Sequence, residues 1–268
     1  MRNLRPIGGC AGRSINFIRT KMKSCHVFYL IYTLSLLLGL ICMIIVTTWS
    51  KVYRGGFAWD GSAKMFNWHP VCMVTGLVVL YGNAILVYRL PFTQSRSKLL
   101  VKLVHATLNL GAFSLAIIGL VAAFGFHNKM HIPNLYSMHS WVGFAAIILF
   151  GFQWLLGFLT FLLPCTPLWL RAAYKDLHAF FGLCILVMAI VASLSGINEK
   201  LIFVLNAPNS TSPYKNLPPE ACLANVLGVI LLCFSMTVAW MLLKRDWQRP
   251  NARESVLGDA TEPLLTED

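Results

Sequence analysis

Six long apolar runs constrain what this chain can fold into more than any other feature. They cover residues 27–48, 68–88, 103–125, 138–163, 177–196 and 222–243. A helix needs about 20 mostly apolar residues to cross the hydrocarbon core of a bilayer. Backbone polar groups in lipid must find partners within the protein, which leaves only helices and closed barrels. Because the runs are continuous and do not alternate, they predict an all-α, polytopic membrane protein with six transmembrane helices.

Charge also indicates that lipid surrounds these runs. Only 12% of the residues are charged, against about 25% in a soluble domain. The net charge of +12 could indicate a nucleic-acid partner, but the basic residues flank the apolar runs and form no domain of their own. We therefore expect no nucleic-acid partner. The first run is longer than the about 7–15 apolar residues of a signal peptide, so we expect a retained first span.

The distribution of lysine and arginine predicts the direction of the spans. We expect a basic N-terminal tail over residues 1–26, a membrane domain over 27–243 and a disordered C-terminal tail over 244–268. The two tails and the loops on their side hold 16 of the 22 basic residues, and the opposite loops hold six. The positive-inside rule then makes both termini cytosolic. Asn209, in an Asn-Ser-Thr triplet of the fifth loop, is a candidate N-glycosylation site on the opposite side.

Four histidines are the polar groups that stand out at membrane depth. His69 and His139 lie near the starts of spans two and four, which begin on the non-cytosolic side. His105 and His178 open spans three and five, which begin on the cytosolic side. One histidine in a helix is more often a hydrogen-bonding residue than a ligand. Two near each face, on alternating helices, favour paired ligands, and ionisable residues in a membrane are candidates for function.

Two neutral imidazoles on facing helices suit a six-coordinate haem iron. The pattern predicts two haem b groups per chain, held in a central four-helix bundle of spans two to five. His69 and His139 would bind one haem, and His105 and His178 the other. A structural zinc site would instead need four ligands together. A transporter or channel that uses the histidines for protons is an alternative of another class, but no acidic residue lies deep in any span.

Several short stretches, with all four histidines in register, carry a resemblance to a known family. They are Tyr53-Arg54-Gly55-Gly56-Phe57-Ala58-Trp59, Phe66-Asn67-Trp68-His69-Pro70, Val87-Tyr88-Arg89-Leu90-Pro91, Lys98-Leu99-Leu100-Val101-Lys102, Asn134-Leu135-Tyr136-Ser137-Met138-His139-Ser140-Trp141 and Ile197-Asn198-Glu199-Lys200. Over roughly residues 27–250, the chain resembles the cytochrome b561 family of ascorbate-dependent transmembrane oxidoreductases. Within that family it is most similar to the vertebrate lysosomal and late-endosomal ferric reductases.

The resemblance implies a reaction, its partners and a location. Cytosolic ascorbate would give one electron, which would cross through the two haems to an acceptor outside. A ferric iron chelate as acceptor would make the protein a ferric reductase. The monodehydroascorbate radical as acceptor would make it a regenerator of luminal ascorbate. The resemblance also implies a homodimer in the late-endosomal or lysosomal membrane, and the tail from Asp259 to Leu265 is similar to an acidic dileucine sorting signal.

Two substrate sites are also implied by the resemblance. Lys98, Lys102 and Arg171 match ascorbate-contacting positions near the cytosolic histidines, and Arg89 is a fourth candidate. Ordinary positive-inside flanking explains such residues equally well. On the other face, His127 is predicted just past the end of span three and matches a residue of the luminal substrate or metal-chelate site. Without the resemblance, a loop histidine is more often simply solvated.

Overall fold

The computed structural model describes residues 8–208 and 211–248, and its regular structure within these ranges is helical. Six of the described helices are long and apolar enough to cross a membrane. The predicted fold class, all-α with six transmembrane helices, is therefore confirmed. The candidate glycosylation site Asn209 and the tail segment from Asp259 to Leu265 lie outside the described residues.

We number the membrane-spanning helices α1 to α6 in chain order. Their bounds are α1 Gly8–Thr48 with a π-helical continuation Trp49–Tyr53, α2 Ala63–Arg89, α3 Lys98–Lys129, α4 Met138–Leu162, α5 Leu168–Leu205 and α6 Pro219–Leu243. Short helical turns cover Pro91–Gln94, Tyr214–Asn216 and Arg245–Trp247. The six predicted apolar runs lie in these helices in the predicted order, except that the fourth run continues one residue beyond the end of α4.

The ends of α3 and α5 differ from the prediction. The apolar runs indicated residues 103–125 and 177–196, whereas the helices cover Lys98–Lys129 and Leu168–Leu205. A run of apolar residues marks the hydrocarbon core, but the helix continues through polar residues at the interface because its backbone hydrogen bonds continue. As a result, three histidines have positions relative to the helix ends that differ from those predicted. His127 lies in the last turn of α3 rather than past its end, and His105 and His178 lie inside their helices rather than at the first residues.

Helix α4, by contrast, begins at Met138, where the sequence predicted. Ser137 accepts a hydrogen bond from the backbone N–H of Ser140 at 3.3 Å, and the Ser137 N–H donates to the Ser140 hydroxyl at 3.1 Å. This reciprocal capping box satisfies backbone donors that a helix start would otherwise leave unpaired. The cap therefore fixes His139 in the first turn of α4.

Helices α2, α3, α4 and α5 pack in a ring, each against the next, and α5 closes the ring against α2. They form the four-helix bundle that the sequence predicted. Helices α1 and α6 pack along each other and cover the side of the bundle formed by α2 and α5. The histidine-bearing helices are thus all in the central bundle.

Two glycines allow α2 to approach its neighbours closely. A Cβ atom on Gly76 would lie 2.8 Å from the Cβ of Leu115 and 2.9 Å from the carbonyl oxygen of Ala112, both on α3. A Cβ atom on Gly82 would lie 2.8 Å from the ring of Phe234 on α6. Small residues at such contacts let transmembrane helices gain dispersion energy at short range.

The outward-facing surface of the helices is formed by large apolar side chains. Leu30 and Met236, for example, are 72% and 69% exposed, as expected for contact with lipid.

Candidate functional site

The structure brings each predicted pair of histidines together. The ring centroids of His69 and His139 are 5.9 Å apart, with an angle of 89° between the ring planes. Those of His105 and His178 are 6.2 Å apart, at 68°. A metal–imidazole bond is about 2 Å long, so two imidazoles on opposite sides of one metal ion have centroids about 6 Å apart. Both pairs therefore have the spacing of axial ligands to a single metal.

Backbone carbonyls orient three of the four rings. Nδ1 of His69 lies 3.1 Å from the carbonyl oxygen of Gly119, Nδ1 of His105 lies 2.9 Å from that of Ala84, and Nδ1 of His139 lies 2.8 Å from that of Ala192. A carbonyl oxygen can only accept, so Nδ1 is the protonated donor in each ring. Nε2 is then the unprotonated nitrogen, and its lone pair is available to a metal. Metal-binding histidines commonly have this second contact.

The fourth ring, that of His178, is held differently. Its Nδ1 is buried and has no hydrogen-bond partner among the described residues. The rings of Phe161 and Tyr174 pack against it, with centroids at 5.4 and 5.7 Å. The side-chain amide of Gln153 donates to the backbone carbonyl of His178 at 2.5 Å. Packing, rather than a hydrogen bond from the ring, therefore orients His178.

The two pairs lie at different levels of the bundle. On α3, His105 and the Gly119 carbonyl that contacts His69 are 14 residues apart, and on α5, His178 and the Ala192 carbonyl that contacts His139 are also 14 residues apart. At about 1.5 Å rise per residue, both intervals correspond to roughly 21 Å along the bundle. Two independent helices thus give the same separation, which is most of the thickness of a bilayer core.

A cavity of about 430 Å³ surrounds the His69–His139 pair, which the sequence predicts to be luminal. Both His69 and His139 line it, and apolar side chains such as Leu77, Leu120 and Ile147 form much of its wall. Ligand and cofactor sites in bundles are mostly apolar with a few polar groups that fix orientation. The cavity therefore suits a flat, largely apolar group held between the two rings.

Basic side chains border the His105–His178 pair, which the sequence predicts to be cytosolic. The ammonium group of Lys102 donates to the carbonyl oxygen of Phe161 at 2.9 Å, and the guanidinium of Arg171 donates to that of Leu163 at 2.8 Å. Lys98 and Lys102 are four residues apart on α3 and share one face of that helix, and the carbonyls that accept from Lys102 and Arg171 are two residues apart, so the three cations lie close together. Because the Phe161 ring also packs on His178, this cationic cluster lies next to the His105–His178 pair. The structure thus brings three of the four predicted ascorbate residues together.

Arg89, the fourth candidate, makes a different contact. Its guanidinium donates to the carbonyl oxygens of Leu242 and Lys244 at the end of α6. Basic side chains commonly satisfy the last carbonyls of a helix in this way. Arg89 thus joins the end of α2 to the end of α6, and its part in ascorbate binding stays a prediction.

At the end of the bundle that holds His69 and His139, His127 lies in an aromatic stack rather than in a solvated loop. Its ring is parallel to that of Phe66, with centroids 6.2 Å apart, and stacks on that of Tyr136 at 6.3 Å. The Tyr136 hydroxyl donates to Glu199 at 3.1 Å. Desolvation and the contact with Glu199 raise the pKa of Tyr136 to about 12, so this hydroxyl keeps its proton at neutral pH. All four residues line the luminal cavity.

Sequence comparison assigns the chain to a family. Residues 68–204 match the eukaryotic cytochrome b561 family, and this range includes all four histidines of the two pairs. The lysosomal membrane ascorbate-dependent ferrireductase CYB561A3 of Danio rerio is 55% identical over 83% of this chain and 91% of its own length. This chain belongs to the eukaryotic cytochrome b561 family. The resemblance predicted from the sequence motifs is therefore confirmed.

Other cytochrome b561 proteins show the same relationship. The lysosomal membrane ascorbate-dependent ferrireductase CYB561A3 of Homo sapiens is 50% identical over 89% of this chain and 96% of its own length. The plasma membrane ascorbate-dependent reductase CYBRD1 of Xenopus tropicalis is 45% identical over 87% of this chain and 81% of its own. Membership implies a haem b cofactor, and the spacing of both histidine pairs fits such a group.

Two glycines of this cytochrome b561 bundle that lie against histidine rings were not predicted from the sequence. A Cβ atom on Gly196 would lie 2.6 Å from Cε1 of His139, and one on Gly157 would lie 2.9 Å from Cε1 of His178. Real Cβ atoms essentially never make contacts under 3.0 Å. Each glycine therefore makes room for one histidine ring. Neither lies near its histidine in sequence, so only the packed bundle relates them.

A buried polar network at the end of the bundle that holds His69 and His139 was also not identified from the sequence. Glu220 is 6% exposed, pairs with Arg54 and accepts a hydrogen bond from the indole of Trp49 at 2.7 Å. The buried amide of Asn67 donates to the carbonyl oxygens of Gly56 and Arg54 at 2.6 and 2.9 Å. This network joins α6 to the loop between α1 and α2, and Asn67 lies two residues before His69. The motif stretches contained Arg54 and Asn67, but not Glu220, which is the partner of Arg54.

Proposed function

We propose that this protein carries electrons across the late-endosomal or lysosomal membrane, from cytosolic ascorbate to ferric iron in the lumen. The observation that carries the proposal is the presence of two facing histidine pairs, separated by roughly 21 Å along one bundle. A single pair would hold a redox group near one face of the membrane only, whereas two pairs at different levels provide an electron-transfer path between the two faces. The names of the relatives, which specify ascorbate dependence and ferric reduction, support the donor and the acceptor.

Each histidine pair holds one haem b, which gives two per chain. His69 and His139 hold the luminal one, and His105 and His178 the cytosolic one. Haem b supplies one-electron redox chemistry when it is bound. The chain would supply the imidazole nitrogens that hold this group and would fix their orientation. Carbonyl acceptors at Nδ1 fix the tautomer and strengthen the ligand field of three histidines, while the apolar walls exclude water.

The cationic cluster of Lys98, Lys102 and Arg171 binds ascorbate, which is an anion at neutral pH. An ammonium group has three donors, and Lys102 uses one of them on Phe161. Nε of Arg171 is buried without a partner among the described residues. Donors that face no carboxylate are therefore available for the enolate oxygens. The contact between Phe161 and His178 supports a position of this anion beside the cytosolic pair.

His127, with Tyr136 and Glu199, forms the site for the luminal acceptor. Its imidazole can bind a ferric chelate directly or donate to the chelating ligand, because neutral imidazole has both a donor and an acceptor nitrogen. Stacking between Phe66 and Tyr136 holds the ring on the cavity wall. The positive-inside charge distribution supports cytosolic termini and a luminal Asn209. A homodimer stays a prediction from the family.

The function is tested with the purified full chain. We expect a low-spin, bis-histidine haem spectrum and two haems per chain, both reduced by ascorbate. In vesicles loaded with ascorbate, an external ferric chelate should be reduced faster than external monodehydroascorbate. A protein purified without haem would refute the proposal. A faster reaction with the radical would instead favour regeneration of luminal ascorbate, and flux that persists in haem-free protein would favour a transporter.

Replacing Lys102 with alanine should weaken ascorbate binding. Loss of a charge-assisted hydrogen bond costs about 1.5–3 kcal/mol, so we expect KM for ascorbate to rise about 10- to 100-fold. Haem content and the reduction of both haems by dithionite should stay unchanged. Lys175→Ala, at an exposed position of the cytosolic end of α5, is the control. An equal rise of KM in both variants would mean that general surface charge, rather than this cluster, attracts ascorbate.

A further inference from the structure

Charged groups on the wall of the luminal cavity differ in how well they are paired. Arg54, Glu199 and Lys200 line this cavity together with His69 and His139. Glu199 accepts from the hydroxyl of Tyr136, and Arg54 pairs with Glu220. Lys200 makes no ion pair with any carboxylate in the part of the chain that the structure describes. A cation is thus left on the wall of a mostly apolar cavity.

Lys200 lies on the face of α5 that contacts His139. Ala192, Gly196 and Lys200 follow one another at intervals of four residues, so they share one face of the helix. Ala192 accepts from His139 Nδ1, and Gly196 makes room for the same ring. Lys200 therefore continues this face by one turn toward the lumen.

The ammonium group of Lys200 also lies near the other luminal histidine. Its Nζ is 4.2 Å from the centroid of the Phe66 ring, and that ring is 5.6 Å from the ring of His69. The position of Lys200 on α5 next to His139 and its contact with Phe66 next to His69 thus both put the ammonium group at the luminal edge of the His69–His139 pair. A cation–π contact with Phe66 gives part of the stabilisation that a buried charge needs, but it leaves the donors of the ammonium group unpaired.

Arg54 contributes a second unsatisfied donor. Its Nε is buried and has no hydrogen-bond partner among the described residues, although another guanidinium nitrogen pairs with Glu220. Arg54 and Lys200 both line this cavity, and the charges of Arg54 and of its partner Glu220 both act on Lys200. Burying charges without partners is costly. A cavity that concentrates spare cationic donors therefore suits an anionic group.

We propose that Lys200, together with Nε of Arg54, binds the propionate carboxylates of the haem held between His69 and His139. This inference rests on the proposed function, because it requires haem at the luminal pair. Haem b has an apolar macrocycle and two carboxylates at one edge, which match the apolar wall and the cationic luminal rim of this cavity. Cations at that edge favour the reduced form, since they offset the negative charge that the electron adds. Lys200 and Arg54 therefore raise the reduction potential of the luminal haem.

The test is a redox titration of the purified full chain with Lys200→Gln. We expect the equilibrium of the luminal haem to shift about tenfold toward the oxidised form, which is about 59 mV for one electron. The cytosolic haem should titrate as in the unchanged protein. Lys200→Arg, which keeps the charge, should restore most of the potential. Lys215→Gln, in the turn Tyr214–Asn216 and not among the residues that line the cavity, should leave both haems unchanged.

Glu220→Gln is an independent test, because it should change the reduction potential of the luminal haem in the opposite direction. It removes the carboxylate that competes for Arg54 and keeps an oxygen for Trp49, so the luminal haem should shift toward the reduced form. If both haems are present and neither Lys200→Gln nor Glu220→Gln changes the luminal potential, the inference is wrong. A Lys200→Gln variant that changes only KM for the ferric chelate would instead assign Lys200 to the acceptor. An unchanged protein that lacks the luminal haem would refute the proposed function itself.

Discussion

Replacing His105 with alanine should halve the haem content and abolish ascorbate-driven reduction. The substitution removes one axial nitrogen and the hydrogen bond to Ala84, so His178 alone cannot hold a six-coordinate iron. Loss of an outer-shell partner alone costs about 10- to 100-fold in metal affinity or activity, so loss of the ligand should cost more than about 100-fold. The luminal pair, roughly 21 Å away along the same bundle but on the other two helices, should keep its haem. The haem-to-chain ratio and the rate of ferric reduction in ascorbate-loaded vesicles measure both effects.

The reciprocal and control variants make this prediction specific. His69→Ala should remove the other haem and leave the cytosolic one reducible by ascorbate. His26→Ala changes an exposed histidine just before the membrane and should alter neither haem. If His105→Ala retained a full complement of haem with an unchanged spectrum, the assignment of this pair would be wrong.

Replacing Gly196 with alanine should remove most of the luminal haem although no ligand is changed. The added Cβ would lie 2.6 Å from Cε1 of His139, a distance at which one group must move. The backbone of α5 is held by the hydrogen bonds of its own helix, and Nδ1 of the His139 ring is hydrogen-bonded to the carbonyl oxygen of Ala192 at 2.8 Å. The ring must therefore rotate, which redirects Nε2 and weakens its bond to the metal. Because a misdirected ligand loses most of its bond energy, we expect luminal haem occupancy to fall at least about tenfold.

Gly111→Ala is the matched control. A Cβ atom at this position of α3 would have its nearest neighbour at 3.5 Å, an ordinary van der Waals contact. Haem content and the potentials of both haems should therefore be unchanged in this variant. Equal haem loss in Gly111→Ala and Gly196→Ala would indicate a general intolerance of the bundle. Normal luminal haem in Gly196→Ala would show that the His139 ring can move without loss of its function.

The number, type and order of the membrane helices could be predicted from the sequence. Lipid offers no hydrogen-bond partners to a backbone, so a continuous apolar run has one stable conformation there. The levels of the four histidines follow from the alternating direction of consecutive spans, and this reasoning anticipated which rings face each other. The family motifs then matched the family that sequence comparison confirmed over residues 68–204.

Helix ends and side-chain partners could not be predicted in the same way. Hydropathy changes at the membrane interface, whereas a helix ends where its hydrogen bonds end, so His127 was placed outside α3 although it lies in its last turn. Arg89 was grouped with the cytosolic lysines because of its charge, and its contacts with α6 depend on a helix about 150 residues later in the chain. Such contacts have no local sequence pattern.

Local sequence therefore accounts for the two levels of histidines, because solvent polarity and helix direction act on each segment separately. Tertiary packing accounts for the geometry at each level. Carbonyl contacts at Nδ1, room for the rings at Gly157 and Gly196, and the cations at the luminal rim all join residues from different helices. Their positions arise only when side chains interlock at short range, where a displacement of less than 1 Å separates a good contact from a clash.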